Sequence, residues 1–171
     1  MEETNYLQDR KGLFDKFKSI PFLQSIDECF LQEMLKLSKL RKYQADEVVA
    51  KEGEYDSYMY IIITGRMRII KRGEQIASLA NQGDTFGELA IIDGESRSAT
   101  VIAEVESICL AVDISFIDRL KPENRDAFCA IFYKLLAEIL ANRLRKTDEE
   151  LINVKEQLSR IKMQDKVRNI F

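Results

Sequence analysis

From Pro122 to at least Ile161 the chain runs without a glycine or a proline and keeps a helical period throughout. At 1.5 Å per residue, about 40 residues make a helix of roughly 60 Å. A chain of 171 residues is enough for one domain plus an extension, and too short for two comfortable cores. One core of that size cannot bury so long a helix. Leu140, Leu144, Thr147, Leu151, Val154, Leu158 and Ile161 recur at 4-3-4-3-4-3 spacing, which is a coiled-coil seam over three heptads. Leu falls mainly at a, with Thr, Val and Ile at d. That is opposite to the simplest parallel-dimer preference, so the seam chemistry leaves the number of strands open. Self-association through 140–161 is the expectation, as a homodimer; the alternative is a helix lying on its own domain.

The rest of the chain must therefore close its core within about 120 residues. Leu13, Phe14 and Phe17 stand at helical spacing in an N-terminal segment, 1–21, that Pro21 ends. Ser25 or Asp27 can cap a second helix, with Ile26, Phe30, Met34, Leu35 and Leu37 on its apolar face. From Tyr43 the texture changes to short runs rich in Val, Ile and Tyr, punctuated by Gly and Asp. About eight strand-length pieces at short spacing suggest a barrel or sandwich. Lys71-Arg72-Gly73-Glu74 reads as a hairpin turn, which puts Met67 and Ile69 on one face of a strand. The expected fold is α+β: an antiparallel, jelly-roll-like β-barrel over 22–121, N-terminal helices, and the long helix and tail over 122–171. Pro122 and Glu123 suit the first turn of that helix.

The composition removes several functions. There is no histidine, which excludes imidazole acid-base catalysis, Ser-His and Cys-His pairs, and histidine metal ligation. Cys29, Cys109 and Cys129 are odd in number, far apart and set among apolar residues, so neither a disulfide framework nor a zinc site is expected. A net charge of −3 does not fit a protein whose main task is neutralising nucleic-acid phosphates. No run approaches the roughly 20 apolar residues of a membrane span, and the N-terminus has no secretory pattern. A cytoplasmic setting follows as the expectation, with no metal, no cofactor and no catalytic residues.

The stretch Phe86–Val101, FGELAIIDGESRSATV, carries the chemistry. A glycine turn leads into one or two turns of helix, whose unpaired N–H groups favour an anion. Arg97 follows the Asp93-Gly94 turn and can fold back over that helix start, beside the N–H groups of Ser98 and Ala99. Glu88 is an odd neighbour for a bare phosphate. It makes sense if the ligand also carries hydroxyls, as a ribose does. The plainer alternative is a capped turn, with Arg97 paired to Glu88 or Glu95 at the surface.

The whole string resembles the phosphate-binding cassette, here 86–101, of cyclic nucleotide-binding domains. It is ungapped against the form found in protein kinase A regulatory subunits. The resemblance extends from about Phe22 to Leu151, through EVVAKEGEYDSYMYIIITGRMRII and ANRLRKTDEEL. It implies that Arg97 pairs with the phosphate, joined by Ser98 and the Ala99 N–H. Glu88 then accepts from the ribose hydroxyl, helped by the backbone of Gly87 and Leu89. Ile69, Ala77 and Ser78 align with base-lining positions, and Thr147 with a threonine that bonds the base. Asp46 and Asp56 stand where turn glycines are frequent, and Asp tolerates left-handed backbone. Asp148 and Ser96 also depart from the pattern. The resemblance thus implies a non-enzymatic sensor of cAMP, or of cGMP, acting through its C-terminal helix on an unknown protein partner. With the chain ending at Phe171 there is no room for a following DNA-binding domain, so a stand-alone regulatory subunit is expected. A coiled-coil scaffold that binds no nucleotide is the alternative.

Overall fold

In a computed structural model the described residues are 2–4, 20, 24, 28–36, 38–119 and 122–168. The helix expected around Leu13–Phe17 and the capping residues Ser25 and Asp27 lie outside them. Among the described residues nine strands form two antiparallel sheets. One holds β1 (Glu2–Thr4), β2 (Ser38–Tyr43), β9 (Ser107–Asp113), β4 (Tyr58–Thr64) and β7 (Thr85–Phe86), in that spatial order. The other holds β3 (Val48–Ala50), β8 (Thr100–Ala103), β5 (Met67–Lys71) and β6 (Glu74–Leu79). The expected barrel is a β-roll: the two sheets face one another but do not close. Their inner faces meet in a core of Tyr43, Tyr60, Ile62, Met67, Phe86, Val101, Ala103 and Cys109.

Among the described residues three helices accompany the sheets: α1 (Glu28–Lys36), α2 (Glu88–Asp93) and α3 (Pro122–Arg168). A 3₁₀ segment, Ile114–Arg119, joins β9 to α3. The helix α1 is described as far as Lys36 and the chain is in β2 by Ser38; Leu37, placed on the apolar face by the sequence pattern, lies outside the described residues. The Ser38 hydroxyl donates to the Met34 carbonyl at 2.6 Å, satisfying an acceptor that the end of α1 leaves open. A polar strand such as SKLRKY is invisible to hydrophobic alternation, and its pairing with β9 decides it. The hairpin turn forms as expected, with Arg72 and Gly73 both at positive φ, 53° and 85°. The chain divides into two compact units, 1–132 and 133–171. Within the first, Phe30 of α1 stacks on Phe128 near the start of α3, centroids 4.3 Å apart.

Burial in this core has a consequence at high pH. It pushes the Cys109 thiol up from 9 to about 12, and it raises the Tyr43 and Tyr60 hydroxyls above their ordinary range, aided at Tyr60 by the Asp56 charge. All three are neutral when protonated, and the folded state favours that form. Their contribution is complete below the unfolded-state values, roughly pH 9 to 10, and is lost as pH rises beyond them. The melting temperature is expected to hold from neutrality to about pH 8.5 and then to fall. Thermal scans from neutral to alkaline pH, with Cys109→Ala flattening the fall, check this.

Candidate functional site

The helix start anticipated between Gly87 and Ile92 is α2, with left-handed glycines at both ends, Gly87 and Gly94. Gly87 needs its φ of 87°, and a Cβ there would stand 2.9 Å from the Tyr58 carbonyl oxygen and 3.1 Å from Arg97 Cζ. The missing side chain is what lets the guanidinium come up against this turn. Glu88, the first residue of α2, is fully buried.

Arg97 is also buried, at 3% exposure, which removes the surface-pair alternative. Its Nη1 donates to the Gly87 carbonyl at 2.7 Å, at the mouth of α2, as folding back over the helix start requires. The carboxylate it pairs with is Asp56, 41 residues earlier. Nε donates to Oδ2 at 2.9 Å, and Nη2 donates to Oδ1 and to the Tyr58 carbonyl. Four of the five guanidinium N–H groups are thus engaged within the protein. The ring of Tyr60 lies 5.8 Å from Arg97 Cζ and stacks on Phe86, centroids 4.8 Å apart. The residue before Gly87 therefore anchors the turn into the core.

The segment 52–58 grips the cassette along its length. Gly53 N–H donates to the Arg97 carbonyl at 2.9 Å, Arg97 N–H to the Glu54 carbonyl at 2.8 Å, and Glu52 N–H to the Thr100 hydroxyl at 3.0 Å. On its other side, the Ser57 hydroxyl donates to Asp113 at 2.9 Å, and Ile114 N–H to the Ser57 carbonyl at 2.9 Å. Residues 56 and 57 thus join Arg97 to the start of the 3₁₀ segment. Asp56 and Ser57 are the site residues that sequence reading missed. Asp56 had only a turn role, yet Asp46 alone of the two aspartates has positive φ. No spacing rule connects residues 56 and 97; only the fold does.

The remaining candidates divide. Ser98 is exposed and Ala99 partly buried, both in the bend between Arg97 and β8; Leu89 is exposed on α2. Ile69 lies opposite Ala77 on one side and Val101 on the other, so these three form one cross-strand row that ends beside the cassette. Ser78 lies opposite Arg68, in the adjacent row, whose side chains emerge on the other face. Thr147 is exposed on α3 in the second unit, and its hydroxyl donates to the Arg143 carbonyl at 3.0 Å. Among the described residues no cluster of three metal-ligating side chains occurs, and no helix is long and apolar enough to cross a membrane.

A two-sheet β-roll thus presses a buried arginine against a glycine-opened helix start, with a buried glutamate on the same turn. Residues 40–124 match the family model for the cyclic nucleotide-binding domain. That segment belongs to this family, and it is a regulatory rather than a catalytic fold. The chain is 30% identical over 103 residues to a cAMP-dependent protein kinase regulatory subunit of Schizosaccharomyces pombe, covering 60% of this chain and 25% of that one. It is 25% identical over 120 residues to a cGMP-dependent protein kinase of Eimeria tenella, covering 70% of this chain and 12% of the kinase. The chain therefore spans a quarter or less of these relatives. A crystal structure of a cyclic nucleotide-binding domain from Methylobacillus flagellatus superposes with a TM-score of 0.69 at 21% identity, over 79% of this chain and 80% of that one. That last likeness is one of fold.

Proposed function

We propose that this chain is a cytoplasmic, non-enzymatic sensor or regulatory subunit for a purine cyclic nucleotide, cAMP in the first instance. It needs no metal or cofactor, associates with itself along 140–161, and signals to a protein partner through α3. The observation that carries the reading is the buried Arg97 held against the Gly87 turn, beside the buried Glu88. The guanidinium is assigned to the ligand phosphate, with Ser98 and Ala99 completing that contact. Glu88, with the backbone of Gly87 and Leu89, is assigned to the ribose. Ile69 and Ala77 are assigned to the base face, with Ser78 contributing through its backbone. The preference for cAMP rests on the resemblance of the segment around Thr147; relatives of both the cAMP and the cGMP kind match the chain.

The geometry supplies a route for the signal. A fork-shaped guanidinium that already holds a carboxylate can exchange it for a phosphate, since both take paired N–H donors. Asp56 is about a third exposed and can swing into water when displaced. Ser57 follows with it and loosens its hold on Asp113 and Ile114, so the 113–122 segment re-packs. Ligand shifts this equilibrium only by its differential affinity for the two arrangements.

The occupied fork also favours a second reading, in which Asp56 holds Arg97 permanently and the chain is a scaffold. Thermal unfolding with cAMP and with cGMP separates them. A ligand at about 100 times its dissociation constant adds roughly 2.7 kcal/mol. For a chain of this length that is a rise of about 5–10 °C. No rise with either nucleotide at millimolar concentration leaves the scaffold.

A further inference from the structure

Arg41 of β2 lies in one cross-strand row with Cys109 of β9 and Ile62 of β4. Both of those are fully buried in the core, so Arg41 stands on the inner face of its sheet. It is half-buried there, and its guanidinium is set among phenols. Nη1 donates to the Tyr60 hydroxyl at 3.1 Å, and Cζ lies 4.2 Å from the centroid of the Tyr58 ring. The buried Tyr43 hydroxyl is beside it.

Arg97 engages the same two tyrosines through their other groups. Its Nη2 donates to the Tyr58 carbonyl, and its Cζ lies over the Tyr60 ring. That ring also stacks on Phe86, the residue before Gly87. Two guanidiniums that share two inward residues of β4 are not placed independently. We propose that Arg41 is a positioning residue for the cassette: through the Tyr60 hydroxyl it fixes the ring against which Arg97 and Phe86 rest. It acts through that ring and not by touching the ligand. Stacking tolerates centroid separations of about 4.5–7 Å, so stacking alone leaves a ring some freedom to slide. A hydrogen bond from a charged donor to the hydroxyl removes that freedom, because it weakens steeply away from its preferred distance and angle.

The test has two arms, and only the second rests on the nucleotide reading. Arg97 Nε–H is donated to Asp56 from a buried guanidinium, so its exchange with water is slow and is read by NMR in the full, nucleotide-free chain. Arg41→Met removes the guanidinium and keeps the stem; Tyr60→Phe removes its acceptor and keeps the ring. Each is expected to speed that exchange about tenfold, the order of one hydrogen bond to a charged group. Cys109→Ala, in the same row, lowers stability without touching that bond and is expected to leave the exchange within about twofold. Exchange unchanged in Arg41→Met and Tyr60→Phe overturns the proposal, and so does exchange that rises equally in Cys109→Ala.

The second arm is titration with cAMP and with cGMP. Affinity is expected to be about tenfold weaker in either Arg41→Met or Tyr60→Phe, and no weaker in the two combined, since both remove the same bond. An Arg41→Met change that weakens binding further in the Tyr60→Phe background overturns the route through Tyr60. An unsubstituted chain that binds neither nucleotide overturns the nucleotide reading alone, and the exchange of Arg97 still decides the role of Arg41.

Discussion

Arg97→Ala is expected to weaken the protein before any ligand is added. The substitution removes the partner of Asp56 and leaves the carbonyls of Gly87 and Tyr58 without their donors. Breaking a fully buried pair costs about 3–5 kcal/mol. Asp56 is about a third exposed, and water takes up part of that loss, so about 2–4 kcal/mol is expected. In melting temperature this is a fall of about 5–15 °C. The ligand-induced rise disappears as well, because a lost charge-assisted contact costs about thirtyfold or more in affinity. Arg97→Lys keeps the charge but not the fork, and falls between. The partner substitution separates the two roles of the arginine. Asp56→Asn lowers stability while freeing the fork, so its nucleotide-induced rise is larger than that of the unsubstituted chain. A thermal double-mutant cycle over Arg97 and Asp56 measures their coupling; coupling near zero means that the pair does not hold the cassette.

Gly87→Ala should cost about 3 kcal/mol, more than its single methyl group suggests. Left-handed backbone adds about 1–2 kcal/mol for a non-glycine residue. The rest comes from crowding, since the new Cβ meets the Tyr58 carbonyl at 2.9 Å and the guanidinium of Arg97. The arginine is the softer neighbour and gives way first, so nucleotide binding is lost along with stability. Gly53→Ala is the control. It has a similar φ of 83° and nothing within 4 Å of the added Cβ, so it carries the backbone cost alone, about 1–2 kcal/mol, and leaves binding intact. Chemical denaturation and nucleotide titration of both variants test the contrast. Equal losses at the two glycines mean that the close approach at Gly87 is not tight.

Much of the site was legible because its parts are local. The glycine at the helix start, the glutamate after it and the arginine beyond the next turn lie within eleven residues, 87 to 97. Spacing that short is enough for backbone geometry to constrain their relative placement. The same holds for the Arg72-Gly73 hairpin and for the start of α3 at Pro122, where single residues set φ or remove a donor. Strand β2 was not legible, because a polar strand carries no pattern until its neighbour supplies the hydrogen bonds.

The amino-acid order alone determined that the chain has no histidine chemistry, that a β-rich domain precedes a helix too long for it, and that a carboxylate and a guanidinium flank one short turn. Each of these depends on residue type and short separation, which survive in any conformation. The tertiary structure alone decided that the sheets form an open roll, and that Ile69 and Ala77 share a row while Ser78 does not. It alone decided that Arg97 is held by Asp56 and coupled through Ser57 to the segment before α3. Those contacts join residues some 40 to 56 positions apart, and nothing in a linear pattern records them. They exist because antiparallel pairing brings distant segments alongside each other, and because a buried charge settles on the carboxylate and carbonyls that the fold places within its reach.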